Sequence, residues 1–185
     1  MPSSDRPSRF FVGLLPPPAI QDYANQVIQD LTDRYRMRTA KAPPHITLQP
    51  PFLWSIDAIS RLHSELQTVA QAQAPVPIQL SGFGVFAPRV LFINVVKTPE
   101  LLQLQSTLMA HLKQQLDIVD PVSKQRSFAP HLTVASRNVT RQSFKQAWAE
   151  LAAQAVEFTF LSDRLTLFLH NGQQWHVQAE FPLLL

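Results

Sequence analysis

The pentapeptide Pro44-His45-Ile46-Thr47-Leu48 returns later in the chain as Pro130-His131-Leu132-Thr133-Val134. A proline pushes the residue before it out of the α region, and the β-branched residues that follow favour extended backbone. Each copy is therefore predicted to be a short strand opened by a turn. Side chains alternate across a strand, so each His shares a face with its Thr, about 6 to 7 Å along. Together the copies offer two imidazoles and two hydroxyls, enough for a general base, a general acid and two donors to an anion. One copy would carry little weight, because a lone His beside aliphatic residues is usually packed or superficial and Thr in a strand is usually there for its shape. Repetition of proline, histidine and threonine at fixed positions makes the chemical reading the stronger one.

The remaining composition suits a folded enzyme of modest size. The chain has 185 residues, 45% of them hydrophobic, enough for one domain with a full core built as two lobes, here taken as residues 1–185. Met1 to Ser8 is polar and unpatterned and is expected to be a disordered tail. The apolar run Phe10 to Leu15 is short and stops at Pro16-Pro17-Pro18, so neither a signal peptide nor a membrane span is expected. Without cysteine there is no disulfide, thiolate nucleophile or Cys-based zinc site, and a soluble, cytoplasmic monomer is the expectation.

Charge is informative by placement. The formal net charge is only +3. Yet the stretches Arg34 to Ile56 and Pro121 to Ala149 hold nine of the sixteen Lys and Arg residues and none of the thirteen acids, and each contains one His-x-Thr. Positive potential around both motifs suits a phosphate. Lys41, Arg126 and Arg137 flank the motifs and are candidate phosphate binders. Phe128 and Phe52, also adjacent, are candidates to stack on a base, although Phe52 and Trp54 read equally well as core.

Periodicity divides the chain into two similar halves. A strand at Arg9 to Leu15 precedes a helix with Ile20, Tyr23, Val27, Ile28, Leu31 and Tyr35 on one stripe. The first His-x-Thr strand follows, then a helix carrying Ile56, Ile59, Leu62, Leu66 and Val69, then strands Val76 to Phe86 and Val90 to Lys97. The second half opens with a helix capped by Thr98-Pro99, its apolar face Leu101, Leu104, Leu108, Leu112 and Leu116. The second His-x-Thr strand, a helix capped by Thr140 with Phe144, Trp148, Leu151 and Ala155, and strands Val156 to Leu161, Arg164 to His170 and Trp175 to Pro182 complete it, the last two joined by an Asn171-Gly172 turn. The two histidines lie 86 positions apart, close to half the chain. The fold class is α+β, with two pseudo-symmetric lobes, each an antiparallel sheet with helices outside, and an active-site cleft between them.

The duplicated His-x-Thr resembles the two-histidine phosphoesterases, and within them the 2′-5′ RNA ligase group of RNA 2′,3′-cyclic phosphodiesterases. Phe10-Phe11-Val12-Gly13-Leu14, the Phe86 to Phe92 stretch, Phe128-Ala129-Pro130-His131-Leu132-Thr133 and Leu167-Phe168 with Gly172 resemble it too. The resemblance implies an enzyme without metal or cofactor, with His45, Thr47, His131 and Thr133 as its site. It implies as partner an RNA or nucleotide ending in a 2′,3′-cyclic phosphate, opened to a 2′-phosphate, with 2′-5′ ligation as the reverse reaction. By the same resemblance His131 is the base and His45 the acid. Two features depart from the group: Arg137 stands one place after the position where an Arg is common, and His170 occupies a position where Ser is usual.

Imidazole serves either role near neutral pH, while the Thr hydroxyls and a nearby cation hold the non-bridging oxygens. The other histidines read as peripheral: His63 and His111 beside helical stripes, His170 and His176 on the closing strands. A zinc site of His45, His131 and His170 is disfavoured, because neither basic window contains a carboxylate. The alternatives are a non-catalytic nucleotide or RNA binding module and a scaffold in which the motifs merely stabilise strands.

Overall fold

The computed structural model of the chain describes residues 7–121 and 126–184. In chain order the elements are β1 (Ser8–Leu14), α1 (Pro18–Tyr35), β2 (Ile46–Trp54), a 3₁₀ turn (Ile56–Ala58), α2 (Ile59–Gln71), β3 (Val76–Phe86), β4 (Val90–Val95), α3 (Pro99–Leu116), β5 (His131–Ala135), α4 (Arg141–Leu151), β6 (Glu157–Ser162), β7 (Arg164–His170) and β8 (Trp175–Pro182). The strands form one antiparallel sheet in the order β6-β3-β4-β5-β2-β1-β7-β8. Four strands stand on either side of the β5–β2 junction, where the pair Ile46↔Leu132 links two lobes. Each lobe draws strands from both halves of the chain: β3 stands between β6 and β4, while β7 pairs with β1. The internal repeat is thus exchanged between lobes rather than confined to one each.

Local chemistry explains the helices. Thr98 accepts a hydrogen bond from the Leu101 N–H at 3.2 Å and Pro99 follows it, so α3 starts where its cap requires. Thr140 and Ser143 form a reciprocal capping box at α4. Helices α1 and α3, which lead to the two His-x-Thr strands, end alike. Arg36 and Asp117 take left-handed backbone, and Met37 and Ile118 donate back to Leu31 and Leu112, burying their side chains as they do so.

The predicted leucine face of α3 is buried throughout. Ile56, expected on α2, instead sits 40% exposed in the 3₁₀ turn, because the Ser55 hydroxyl accepts from the Asp57 N–H and stops the helical register before α2 begins. Ala155 lies beyond the end of α4, and Ala147 takes its place in the core. The β7–β8 connection spans Asn171 to Gln174, longer than a two-residue turn. The Asn171 side-chain oxygen accepts from the Gln173 and Gln174 N–H groups while Gly172 adopts φ 96°. Ser8, expected in the tail, opens β1 opposite Trp54, and the preceding residues 1–6 lie outside the described ones.

Strand alternation separates two faces. Ile46, Leu48, Leu132 and Val134 are buried in the main core, against which α1 packs on β5 and α3 on β2. His45, Thr47, His131 and Thr133 are half-buried on the other face. Among the described residues, no helix is long and apolar enough to cross a membrane.

Candidate active site

In each motif the proline precedes the histidine and lies outside the strand, which begins at Ile46 in the first copy and at His131 in the second. The imidazole turns back on the carbonyl two residues upstream: His45 Nδ1 lies 2.8 Å from the Pro43 oxygen and His131 Nδ1 2.7 Å from the Ala129 oxygen. A carbonyl only accepts, so Nδ1 carries the proton in both rings, and Nε2 is the nitrogen left for a substrate. Continuing the Ile46↔Leu132 register by one residue each way sets His45 opposite Thr133 and Thr47 opposite His131. The histidines then stand on a diagonal, a spacing of about 7–8 Å across the strand pair with the Cβ atoms somewhat closer. Both threonine hydroxyls are without a hydrogen-bond partner among the described residues.

Each imidazole rests on two aromatic rings. His45 lies 4.6 Å from Phe11 on β1 and 5.3 Å from Phe168 on β7. His131 lies 5.2 Å from Phe92 on β4 and 4.9 Å from Phe86 on β3. Phe11, Phe168 and Trp175 form a small apolar cluster of their own beneath His45. Gly84, paired with Phe92, has no Cβ, and one placed there would collide with the Phe92 ring. Hydrophobic periodicity does not reveal these seats. Their trace in the sequence is that Phe11 and Phe92 precede their histidines by similar intervals, 34 and 39 residues.

Burial pushes the pKa of both histidines below the usual imidazole value, against the opposing pull of the backbone carbonyls. His45 is lowered further by the charge His131 would carry. At neutral pH the free site therefore presents two neutral imidazoles with open Nε2 lone pairs.

A cavity of about 950 Å³ opens beside the Thr47–His131 edge. Phe86, Phe128, Arg126 and Asp120 line it, with Gln105, Ser106 and Met109 from α3. Of the flanking candidates, Phe128 and Arg126 thus stand in its wall. Asp120, just outside the acid-free stretch, brings a carboxylate beside them. Phe52 is a correction: it is 9% exposed and stacks on Phe10 with centroids 6.1 Å apart, because it shares the core-facing side of β2 with Ile46 and Leu48. Lys41 and Arg137 are exposed and lie outside the cavity lining, and Lys124 falls outside the described residues.

Of the remaining histidines, three are engaged elsewhere, and His176 on β8 leaves a buried Nδ1 without a hydrogen-bond partner among the described residues. His63 meets Gln178 and His111 pairs with Glu65 at 2.7 Å. His170 accepts from the Gly172 N–H and lies edge-on to Trp175. Among the described residues, no three His, Cys, Asp or Glu side chains gather as a ligand set for a metal ion.

Comparison with known families matches residues 16–174 to the 2′-5′ RNA ligase superfamily. The chain belongs to that superfamily. This 2′-5′ RNA ligase superfamily member is 35% identical over 174 residues to a Bacillus cereus protein named "Putative phosphoesterase", covering 92% of this chain and 94% of the relative. A Geobacillus kaustophilus protein of the same description is 29% identical, covering 94% and 95%. Among solved structures, apo E. coli LigT superposes with TM-score 0.67 at 18% identity, covering 97% of this chain and 99% of LigT. TT0787 of Thermus thermophilus gives 0.62 at 20% identity, covering 95% and 97%. The superfamily member shares their fold, with four helices against one curled eight-stranded antiparallel sheet.

Proposed function

We propose that this protein is a metal-independent phosphodiesterase that opens 2′,3′-cyclic phosphates at the end of an RNA or nucleotide and leaves a 2′-phosphate. The observation that carries this reading is the diagonal pair of imidazoles, each tethered through Nδ1 to a carbonyl and each beside a threonine hydroxyl. Ring opening needs water deprotonated on one side of phosphorus and the departing ribose oxygen protonated on the other, in line. Two Nε2 atoms flanking one phosphoryl group supply both.

His131 lines the open cavity, where water has access, and fits the base that takes the proton from water. His45, set between Phe11 and Phe168 and outside that lining, fits the acid that returns a proton to the 3′ oxygen. The bound phosphate anion favours protonation of the ring that must act as acid. Thr47 and Thr133 donate to the non-bridging oxygens as negative charge gathers there. By microscopic reversibility the same groups join a 2′,3′-cyclic end to a 5′-hydroxyl through a 2′-5′ bond.

The cavity beside His131, with Phe128 and Phe86 in its walls, suits a nucleobase. Crystal structures of E. coli LigT complexed with 3′-AMP, NADP+ and ATP support a nucleotide ligand for this fold. The test is hydrolysis of adenosine 2′,3′-cyclic phosphate and of a short oligoribonucleotide ending in a 2′,3′-cyclic phosphate, with EDTA present. The expected result is turnover to the 2′-phosphate that chelator leaves unchanged. A folded protein that leaves both cyclic phosphates intact would overturn the reading.

A further inference from the structure

Beyond the Thr133 end of β5 the backbone makes one more cross-strand pairing. Arg38 and Arg137 meet directly: the Arg38 N–H donates to the Arg137 oxygen at 2.9 Å and the Arg137 N–H to the Arg38 oxygen at 2.8 Å. Both side chains are exposed, and neither has a carboxylate partner among the described residues. Like charges set directly opposite one another destabilise a strand pair, so this arrangement costs stability unless an anion joins them. Met37 is fully buried in the core, so alternation turns Arg38 away from it, and Arg137 shares that side as its cross-strand partner. That is the side, relative to the core, on which His45 and Thr133 stand.

We infer that Arg38 and Arg137 form a second phosphate subsite, which takes a backbone phosphodiester of an oligonucleotide whose cyclic end lies between the histidines. Two guanidinium forks match the oxygens of one phosphate. Thr133 and Arg137 are four residues apart, at most about 13 Å by strand rise given the register shift within β5, a separation that a nucleotide chain bridges. The cavity and the arginine pair then lie at opposite ends of the reactive group, and the preferred substrate is an RNA end rather than a free cyclic nucleotide. The inference rests on the proposed function for the reacting phosphate and adds the class of molecule that carries it.

The experiment compares kcat/KM for adenosine 2′,3′-cyclic phosphate, its 5′-phosphorylated form and a short oligoribonucleotide ending in a 2′,3′-cyclic phosphate. Wild type is set against Arg38→Gln and Arg38→Gln/Arg137→Gln, with folding checked by circular dichroism. The expected result is an oligonucleotide-to-mononucleotide ratio lowered about tenfold in Arg38→Gln, and partly restored in Arg38→Lys. The salt slope for the oligonucleotide should flatten by about 0.7, the share of one phosphate that is no longer neutralised. An advantage already present in the 5′-phosphorylated mononucleotide would assign the subsite to a free nucleotide and overturn the RNA assignment. An unchanged ratio in the double variant would overturn the subsite itself. Fluorescence anisotropy with an RNA bearing a 3′-phosphate reads the subsite without turnover: binding as tight in the double variant as in wild type overturns it, whatever the hydrolysis result. Failure of wild type to open any cyclic phosphate would count against the proposed reaction alone.

Discussion

Ile46 and Leu132 pair at the junction of the two lobes, and both are fully buried. Their side chains point into the core, so the residues on either side of each must point out of it. This pair thereby sets two histidines and two threonines on one face, in a square that a single phosphoryl group can occupy.

Replacing either His45 or His131 by Ala should lower kcat for cyclic phosphate hydrolysis by roughly 10²- to 10⁴-fold while leaving the circular dichroism spectrum unchanged. The double variant should lose far less than the product of the single losses, because acid and base act in one step. Thr47→Ala and Thr133→Ala should cost less, each removing one donor. A folded single-histidine variant with near wild-type kcat would rule out the two-histidine mechanism.

Stability should fall on mild acidification. Both imidazoles have pKa values held below the unfolded-chain value of about 6.5, so between the two values the unfolded chain binds more protons than the folded one. Their contribution is complete above about pH 6.5 and is lost as the pH drops toward the folded values. Urea titrations at neutral and at mildly acidic pH should show this loss, and His45→Asn should make it smaller. The kcat/KM profile of the free enzyme should be bell-shaped with its limbs shifted below the ordinary imidazole range.

Gly84→Ala should disturb His131 without touching it. The added methyl collides with Phe92, whose ring supports the imidazole at 5.2 Å, and such overpacking typically costs about 1–3 kcal/mol. A lowered Tm together with a reduced kcat is expected, and Gly84→Ala/Phe92→Leu should recover part of the stability. Crystallography of the single variant would show whether the His131 ring moves.

Phe11→Leu should admit water to His45 and let its pKa rise toward the usual value, because burial is the largest cause of the depression. An NMR titration of the imidazole signals measures this directly. An unchanged His45 titration would show that Phe11 does not provide the dry seat.

Much of this protein is legible in its sequence. The duplicated motif, the cap at Thr98, the leucine face of α3 and the alternation around Ile46 and Leu132 are local patterns, and local backbone preference determines them. Phe128 and Arg126 in the cavity wall followed from proximity in sequence. Other features depend on which distant strands pair. The exchange of β3 and β7 between lobes, the seating of His45 on Phe168 and of His131 on Phe86, and the meeting of Arg38 with Arg137 all join residues far apart in the chain. Phe52 shows the same limit from the other side: nearness to His45 in sequence suggested the site, while the core-facing side of β2 took it inward against Phe10. Residue types and spacing determined that two imidazoles and two hydroxyls are available. Only the tertiary fold decided that they meet, because one cross-strand pair between the lobes aligns two motifs 86 residues apart.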